Sequence, residues 1–144
     1  MIRIAEIKAE ATYPIRKSVL REGMTLSHEM AGDHNDDTLH LGLFDQDQLV
    51  CIGSFMKAAK SDFNGLQYQL RGMASTKGSQ GKGYGKKLLA SAEQILKDRD
   101  VNVLWCNARV VAFDFYNKLG YQSIGDVFEV DQVGPHFLMF KKLG

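Results

Sequence analysis

The run Gln80-Gly81-Lys82-Gly83-Tyr84-Gly85 sets three alternating glycines after an apolar segment, Leu70 to Ala74, and opens a helical pattern. Glycines at this spacing hold backbone open. The first N–H groups of a helix lack intrahelical partners and bind anions, above all phosphate. Lys82, Lys86 and Lys87 add positive charge at the same place. The chemistry this predicts is the binding of a pyrophosphate. The alternative is a helix-start turn with no guest, but three glycines cost conformational entropy that a plain turn need not incur. A second group, His28, His34 and His40 with Asp33, Asp36 and Asp37, has the residue types of a metal site. Its six-residue histidine spacing fits neither one helix face nor a zinc pattern, so no metal is expected and a solvated acidic loop is the default.

Two familiar phosphate loops fail on residue identity. A Walker A loop needs G-x-x-x-x-G-K-[ST]; Gly78 to Gly83 has the glycine spacing, but Tyr84-Gly85 replaces the Lys-Ser/Thr pair. A dinucleotide fingerprint needs G-x-G-x-x-G, and the third glycine here is displaced by one position.

The elements that must carry the loop follow from periodicity. Residues 2 to 8 read as a strand, and Pro14 as the first turn of a helix capped by Thr12 or Tyr13 that ends near Gly23. Residues 24 to 37 read as loop. Strands are expected over 38 to 44 and 49 to 56, around the turn Asp45-Gln46-Asp47-Gln48, and from Leu66 to about Ser75. Tyr84, Leu88, Leu89, Ala92, Ile95 and Leu96 recur at helical spacing over 83 to 98. Val101 to Cys106 is a short strand, and Ala112, Phe115, Tyr116 and Leu119 mark a helix stopped by Gly120. Residues 121 to 130 and 136 to 142 close the chain as two strands joined near Gly134-Pro135. The order β-α-β-β-β-α-β-α-β-β is a mixed α/β (α+β) arrangement, antiparallel at first and with a crossover helix later.

The chain of 144 residues has the size of one domain, and its 44% apolar and 24% charged residues suit a globular protein. Eighteen basic and 17 acidic residues give a net charge of +1, which argues against a nucleic-acid surface. No signal peptide or membrane span is visible, so a cytoplasmic protein without membrane contact is expected. Cys51 and Cys106 fit no metal or redox spacing and read as buried free thiols.

Gln80-x-x-Gly83-x-Gly85 resembles the (Arg/Gln)-x-x-Gly-x-(Gly/Ala) loop of the GNAT family of acetyl-CoA-dependent N-acetyltransferases. Leu70-Arg71-Gly72-Met73-Ala74 resembles the strand before that loop. Asn107-Ala108-Arg109-x-x-Ala112-x-x-Phe115-Tyr116-x-Lys118-x-Gly120-Tyr121 is similar to the second signature of the family. Residues 38 to 125 carry the match; the first 37 match mainly in layout. The resemblance implies a single GNAT-like domain over residues 1–144, with a mixed sheet of about seven strands flanked by helices and a splayed strand pair, 66–75 and 102–107.

The resemblance further implies acetyl-CoA, with its pyrophosphate over the backbone N–H groups of Gln80, Gly81, Lys82, Gly83, Tyr84, Gly85 and Lys86. The pantetheine arm would run beside Met73-Ala74-Ser75, with the Met73 N–H polarising the thioester carbonyl and Asn107 reaching pantetheine or acceptor. Tyr116 matches the tyrosine that protonates the departing sulfur, a role a phenol can fill because it is protonated at neutral pH; core packing is its competing role. No base carries over by motif. Glu129 and His136 are the candidates, flanking Glu129-Val130-Asp131-Gln132-Val133-Gly134-Pro135-His136; a hydrogen-bonded histidine at a strand start is the equal alternative.

The first helix and its loop lie where this fold shapes the acceptor pocket. Asp33, Asp36 or Asp37 could draw a cationic amine, Arg16 and Arg21 could hold a carboxylate, and the sequence does not choose. Trp105, Phe113 and Phe115 are expected in the core. The implied function is acetyl transfer to a primary amine of a small molecule or peptide, by direct attack in a ternary complex. The alternative is a catalytically silent acyl-CoA-binding sensor or interaction module. The exposed last strands offer an edge for homodimer pairing.

Overall fold

The computed structural model describes all residues, Met1 to Gly144. Seven strands form one sheet: β1 (Ile2–Glu6), β2 (Leu39–Asp45), β3 (Gln48–Lys57), β4 (Gln67–Ser75), β5 (Val103–Arg109), β6 (Gln122–Val130) and β7 (Gly134–Lys142). Three α-helices flank it: α1 (Ala9–Ile15), α2 (Tyr84–Asp98) and α3 (Phe113–Lys118). The spatial order is β1-β2-β3-β4-β5-β7-β6. Every neighbouring pair is antiparallel except β4–β5, which is parallel and needs the long α2 crossover. This is the mixed, helix-flanked sheet that the element order implies.

Side-chain alternation divides the sheet into two faces. Leu39, Leu41 and Leu43 of β2, Cys51 and Phe55 of β3, and Leu104, Cys106 and Ala108 of β5 pack with Leu88, Leu89, Ala92 and Leu96 of α2 and Tyr116 of α3. This is the main core. On the opposite face a smaller cluster joins Ile15 of α1 to Ile52 and Ala74. The two faces meet different partners and acquire different chemistry.

Two local expectations are corrected. The first helix begins at Ala9, so Pro14 lies inside it rather than in its first turn. Thr12 is no cap; it is buried within the helix and its hydroxyl donates to Ala9 O at 2.6 Å, and Tyr13 likewise sits inside the helix. Pro14 has no N–H for the helical bond to Glu10, and its ring crowds that carbonyl. Beyond it the chain widens into one π-helical turn over Arg16–Leu20. The last hairpin turns at residues 131–133, and Gly134-Pro135 open β7 instead of forming the joint. The β2–β3 turn is closed by Gln46 and Asp47, both left-handed (φ 51° and 66°) without help from glycine. No helix is long and apolar enough to cross a membrane.

Candidate active site

β4 and β5 pair only from Gln67–Gln69 to Val103–Trp105. Past those residues β4 runs on to Ser75 and β5 to Arg109 without a shared register, so the sheet opens in a V. Backbone groups along the inner edges of a V are freed from each other. A narrow extended ligand can enter there as a surrogate strand.

The glycine loop lies at the α2 end of this opening. Gly83 caps α2 in the left-handed region (φ 77°), with no side-chain cap, and Gly81 shares that conformation (φ 79°). A Cβ at either position would meet no atom within 4 Å, so open space lies over the loop. The first turn of α2 has no acidic residue, and Lys82, Lys86 and Lys87 are exposed around it. Cations at a helix N-terminus oppose its dipole; an anion over the loop would reverse that penalty. The donor set thus fits a pyrophosphate. Gln80 reaches back to Ser75 O at 3.3 Å, tying loop to strand. Tyr84 contributes backbone alone, because its side chain is buried and its hydroxyl donates to Asp45.

β4 carries a bulge at the V. Ile52 pairs with Ala74 and Ser54 with Arg71, leaving Gly53 opposite both Gly72 and Met73. Gly72 takes φ 65°, as bulge glycines do. The bulge turns the Met73 backbone out of regular pairing. Met73 is half-buried against the main core, and Ala74 is buried in the small one, which leaves Ala74 only its backbone for a ligand.

Tyr116 sits against Phe115 and Tyr121, with ring centroids 5.0 and 5.6 Å away. It is 8% exposed. Arg16 Nε is the only fully buried side-chain nitrogen or oxygen without a partner, so the Tyr116 hydroxyl, which makes no hydrogen bond, keeps a path to solvent. Burial, and then the neighbouring Cys106, raise the phenol pKa well above its usual value. The group is a proton holder that stays neutral until a strong base arrives beside it. Trp105 is buried as expected, whereas Phe113 and Phe115 are half-buried at the edge of the core.

The α1 face is built from ions. Arg16 is fully buried and forms a two-pronged pair with Asp33, at 2.8 and 3.0 Å. It also donates to Ser54 Oγ at 2.9 Å and His28 O at 3.0 Å. His40 Nε2–H donates to Asp33 O at 2.8 Å, which leaves Nδ1 to accept from the Ser54 hydroxyl at 2.7 Å. Burial alone would raise the Asp33 carboxyl; the Arg16 bonds and the Met30 N–H outweigh it and hold the pKa below the usual range. Asp33 is therefore consumed and free to draw no cation. Asp36 and Asp37 are exposed, and His34 lies 3.3 Å from the Tyr13 hydroxyl. His28 packs edge-on against the same Tyr13 ring, at 4.9 Å between centroids, while His40 bonds to Asp33 O and Ser54.

The two candidate bases part company. In the β6–β7 register Phe128 stands opposite His136 and Glu129 opposite Pro135, so Glu129 and His136 lie on opposite faces. His136 is 6% exposed, donates Nδ1–H to Gly134 O at 2.8 Å and stacks on Phe128. It shares its face with Arg109 and, two residues along β5, with Asn107; both are exposed. Glu129 is exposed on the other face.

One residue of this face escaped the sequence-based site. Arg71 stands in register with Ser54, beside Arg16, and has no hydrogen bond or ion pair. Its signal was available: a charge inside the otherwise apolar segment Leu70 to Ala74, beside a glycine that marks a bulge.

Comparison with known proteins bears on this geometry. The GNAT acetyltransferase domain family matches residues 8–143. An uncharacterized N-acetyltransferase of Bacillus subtilis, YitI, is 33% identical over 145 residues, covering 99% of this chain and 97% of that protein. Escherichia coli ElaA has the same fold at TM-score 0.82 and 18% identity, with 98% of this chain and 99% of that one superposed. An aminoglycoside 6'-N-acetyltransferase complexed with coenzyme A superposes at TM-score 0.76 and 15% identity, over 98% of this chain and 97% of that one.

Proposed function

The chain belongs to the GNAT family of acetyltransferases, and from that premise we propose that it transfers the acetyl group of acetyl-CoA to a primary amine by direct attack in a ternary complex. The proposal covers one domain, residues 1–144, working in the cytoplasm on a small-molecule or peptide amine. The observation that carries it is the parting of β4 and β5 beside an open, lysine-flanked helix N-terminus. The backbone N–H groups from Gln80 to Lys86 would hold the pyrophosphate, with α2 directing its dipole at it. The β4 edge through Met73 and Ser75 would line the pantetheine arm, and Asn107 the far edge. Acetyl-CoA brings an activated acyl group.

The chain's own groups then manage charge and protons. The Met73 N–H, turned out by the bulge, would donate to the carbonyl oxygen as negative charge grows there. His136 would take the amine proton through Nε2, its Nδ1–H being fixed on Gly134 O. His136 suits this role better than Glu129 because it shares the α1 face with Asn107, away from the glycine loop. The amine nitrogen forms the new bond to the acyl carbon as the carbon–sulfur bond breaks. Tyr116 would donate its phenolic proton to the departing sulfur; a phenol kept neutral by burial is present in donor form throughout the neutral range.

Tyr116→Phe tests the assignment. Its CoA affinity should equal that of the parent, while acetyl transfer should fall by about a hundredfold or more. Equal rates would remove Tyr116 from the chemistry. A parent protein that binds CoA and acetylates no amine would instead be an acyl-CoA sensor.

A further inference from the structure

Three guanidiniums gather on the α1 face with one carboxylate among them. Asp33 is consumed by Arg16. Glu22, the other acid near the end of this helix, pairs with Lys77. Arg71 has no acidic partner and no hydrogen bond. Arg21 uses Nε and Nη1 on the carbonyls of Ser27 and Leu20, at 3.0 and 3.5 Å, keeps Nη2 free and meets no carboxylate. His40 carries no negative charge that could offset them. Two positive charges are left without a paired carboxylate in a half-buried setting. Burial lowers the pKa of both arginines; the charges of Arg71 and Arg16 lower Arg21 further, and Arg16 does the same to Arg71 with Asp33 opposing it only in part. Like charges crowded this way destabilise each other until an anion joins them.

Their position decides which anion. Arg71 directly precedes the Gly72–Met73 bulge, where β4 leaves its regular pairing with β3 beside the V. Arg16 Nε, fully buried and without an acceptor, lies 3.3 Å from where a Cβ on Gly72 would sit. Across the V, Arg109 and Asn107 are exposed on the same face. An anion bound by Arg71 therefore sits a few bonds from any amine brought to the bulge. Planar guanidinium forks match carboxylates. Resting on the acetyl-transfer reading, we propose that Arg71 and Arg21 bind the carboxylate of the acceptor, which is a small amino carboxylate such as an amino acid, and not a polycation.

A carboxylate could reach the same arginines from the acyl chain of the donor, so the experiment separates the two sources. Thiol release is measured with acetyl-CoA and with succinyl-CoA against free amino acids, their carboxamides and spermidine. CoA-induced thermal stabilisation is recorded in parallel, for the parent and for Arg71→Gln. The expected result is a kcat/KM for the best free amino acid at least about tenfold above its carboxamide. In Arg71→Gln that ratio should collapse toward one, mainly through KM, while the CoA-induced shift stays. Arg21→Gln, on the half-buried turn after α1, carries the same expectation should Arg71→Gln fail to fold.

Preference for carboxamides or spermidine would overturn the proposal, as would an unchanged ratio in both variants. So would an arginine-dependent preference for succinyl-CoA, which places the carboxylate on the donor. In each of those cases amine acetylation persists and only the acceptor assignment falls. Stabilisation by CoA with no amine acetylated sinks the transfer reading itself and this inference with it.

Discussion

The two faces of the V are made from different materials. On the α2 face the glycine loop offers backbone: left-handed Gly81 and Gly83, open space above them, and free N–H groups at a helix start. Its neighbours in space are its neighbours in sequence. On the α1 face the site is made of side chains from separate segments, Arg16, Asp33, His40, Ser54 and Arg71. A backbone site can bind its guest without much cost to the fold when altered. A buried ionic site cannot, because Arg16 and Asp33 neutralise each other and neither can be removed alone. The first suits a ligand common to a whole family; the second can be varied to choose an acceptor.

The sharpest way to break this contrast is to remove a charge from the α1 face. Asp33→Asn leaves Arg16 buried without its counter-ion, the Asp33 side chain being 2% exposed. Losing one partner of such a pair should destabilise the fold by about 3–5 kcal/mol, read by urea denaturation. The effect has a pH signature. A carboxyl whose pKa is lowered by folding adds stability above its unfolded value, near pH 4, and loses it as pH falls through the lowered folded value. The parent should weaken across that acid window, and Asp33→Asn should lack this limb. An unchanged acid limb would mean that the pair contributes little.

Gly83→Val is the matching test on the α2 face. Gly83 holds φ 77°, so valine there is strained, but its Cβ meets no protein atom. The protein should stay folded, losing about 1–2 kcal/mol, while CoA affinity falls at least about a hundredfold because the side chain occupies the open space over the N–H groups. Retained affinity would place the pyrophosphate elsewhere.

The same contrast explains what could be read in the sequence. The glycine loop, the periodic stripe of α2 and the strand order were legible because each is encoded within a short window. The V was legible only through family resemblance, since nothing in residues 67–75 or 103–109 alone says that two strands part after three paired residues. The start of α1 differs from the expectation because Pro14 normally marks a first turn, and here it lies inside the helix with a π-helical turn after it. The acidic loop reads as solvated or as a lure for an amine, yet Asp33 is buried against Arg16, a partner 17 positions away that no local pattern reveals. Glu129 and His136 looked like a pair because they flank one hairpin, but pairing across the turn sets them on opposite faces. Arg71 was passed over because its neighbours Ser54 and Arg16 come together only in three dimensions.

The most direct test of the account is thermal unfolding of the unmodified protein with CoA, acetyl-CoA, ATP or NAD at saturating concentration. A ligand at a hundred times its Kd adds about 2.7 kcal/mol, a rise in Tm of roughly 5–10 °C for a chain of this size. The account predicts that rise with CoA and acetyl-CoA and none with ATP or NAD. A rise with ATP or NAD alone, or no rise with any of the four, would contradict it.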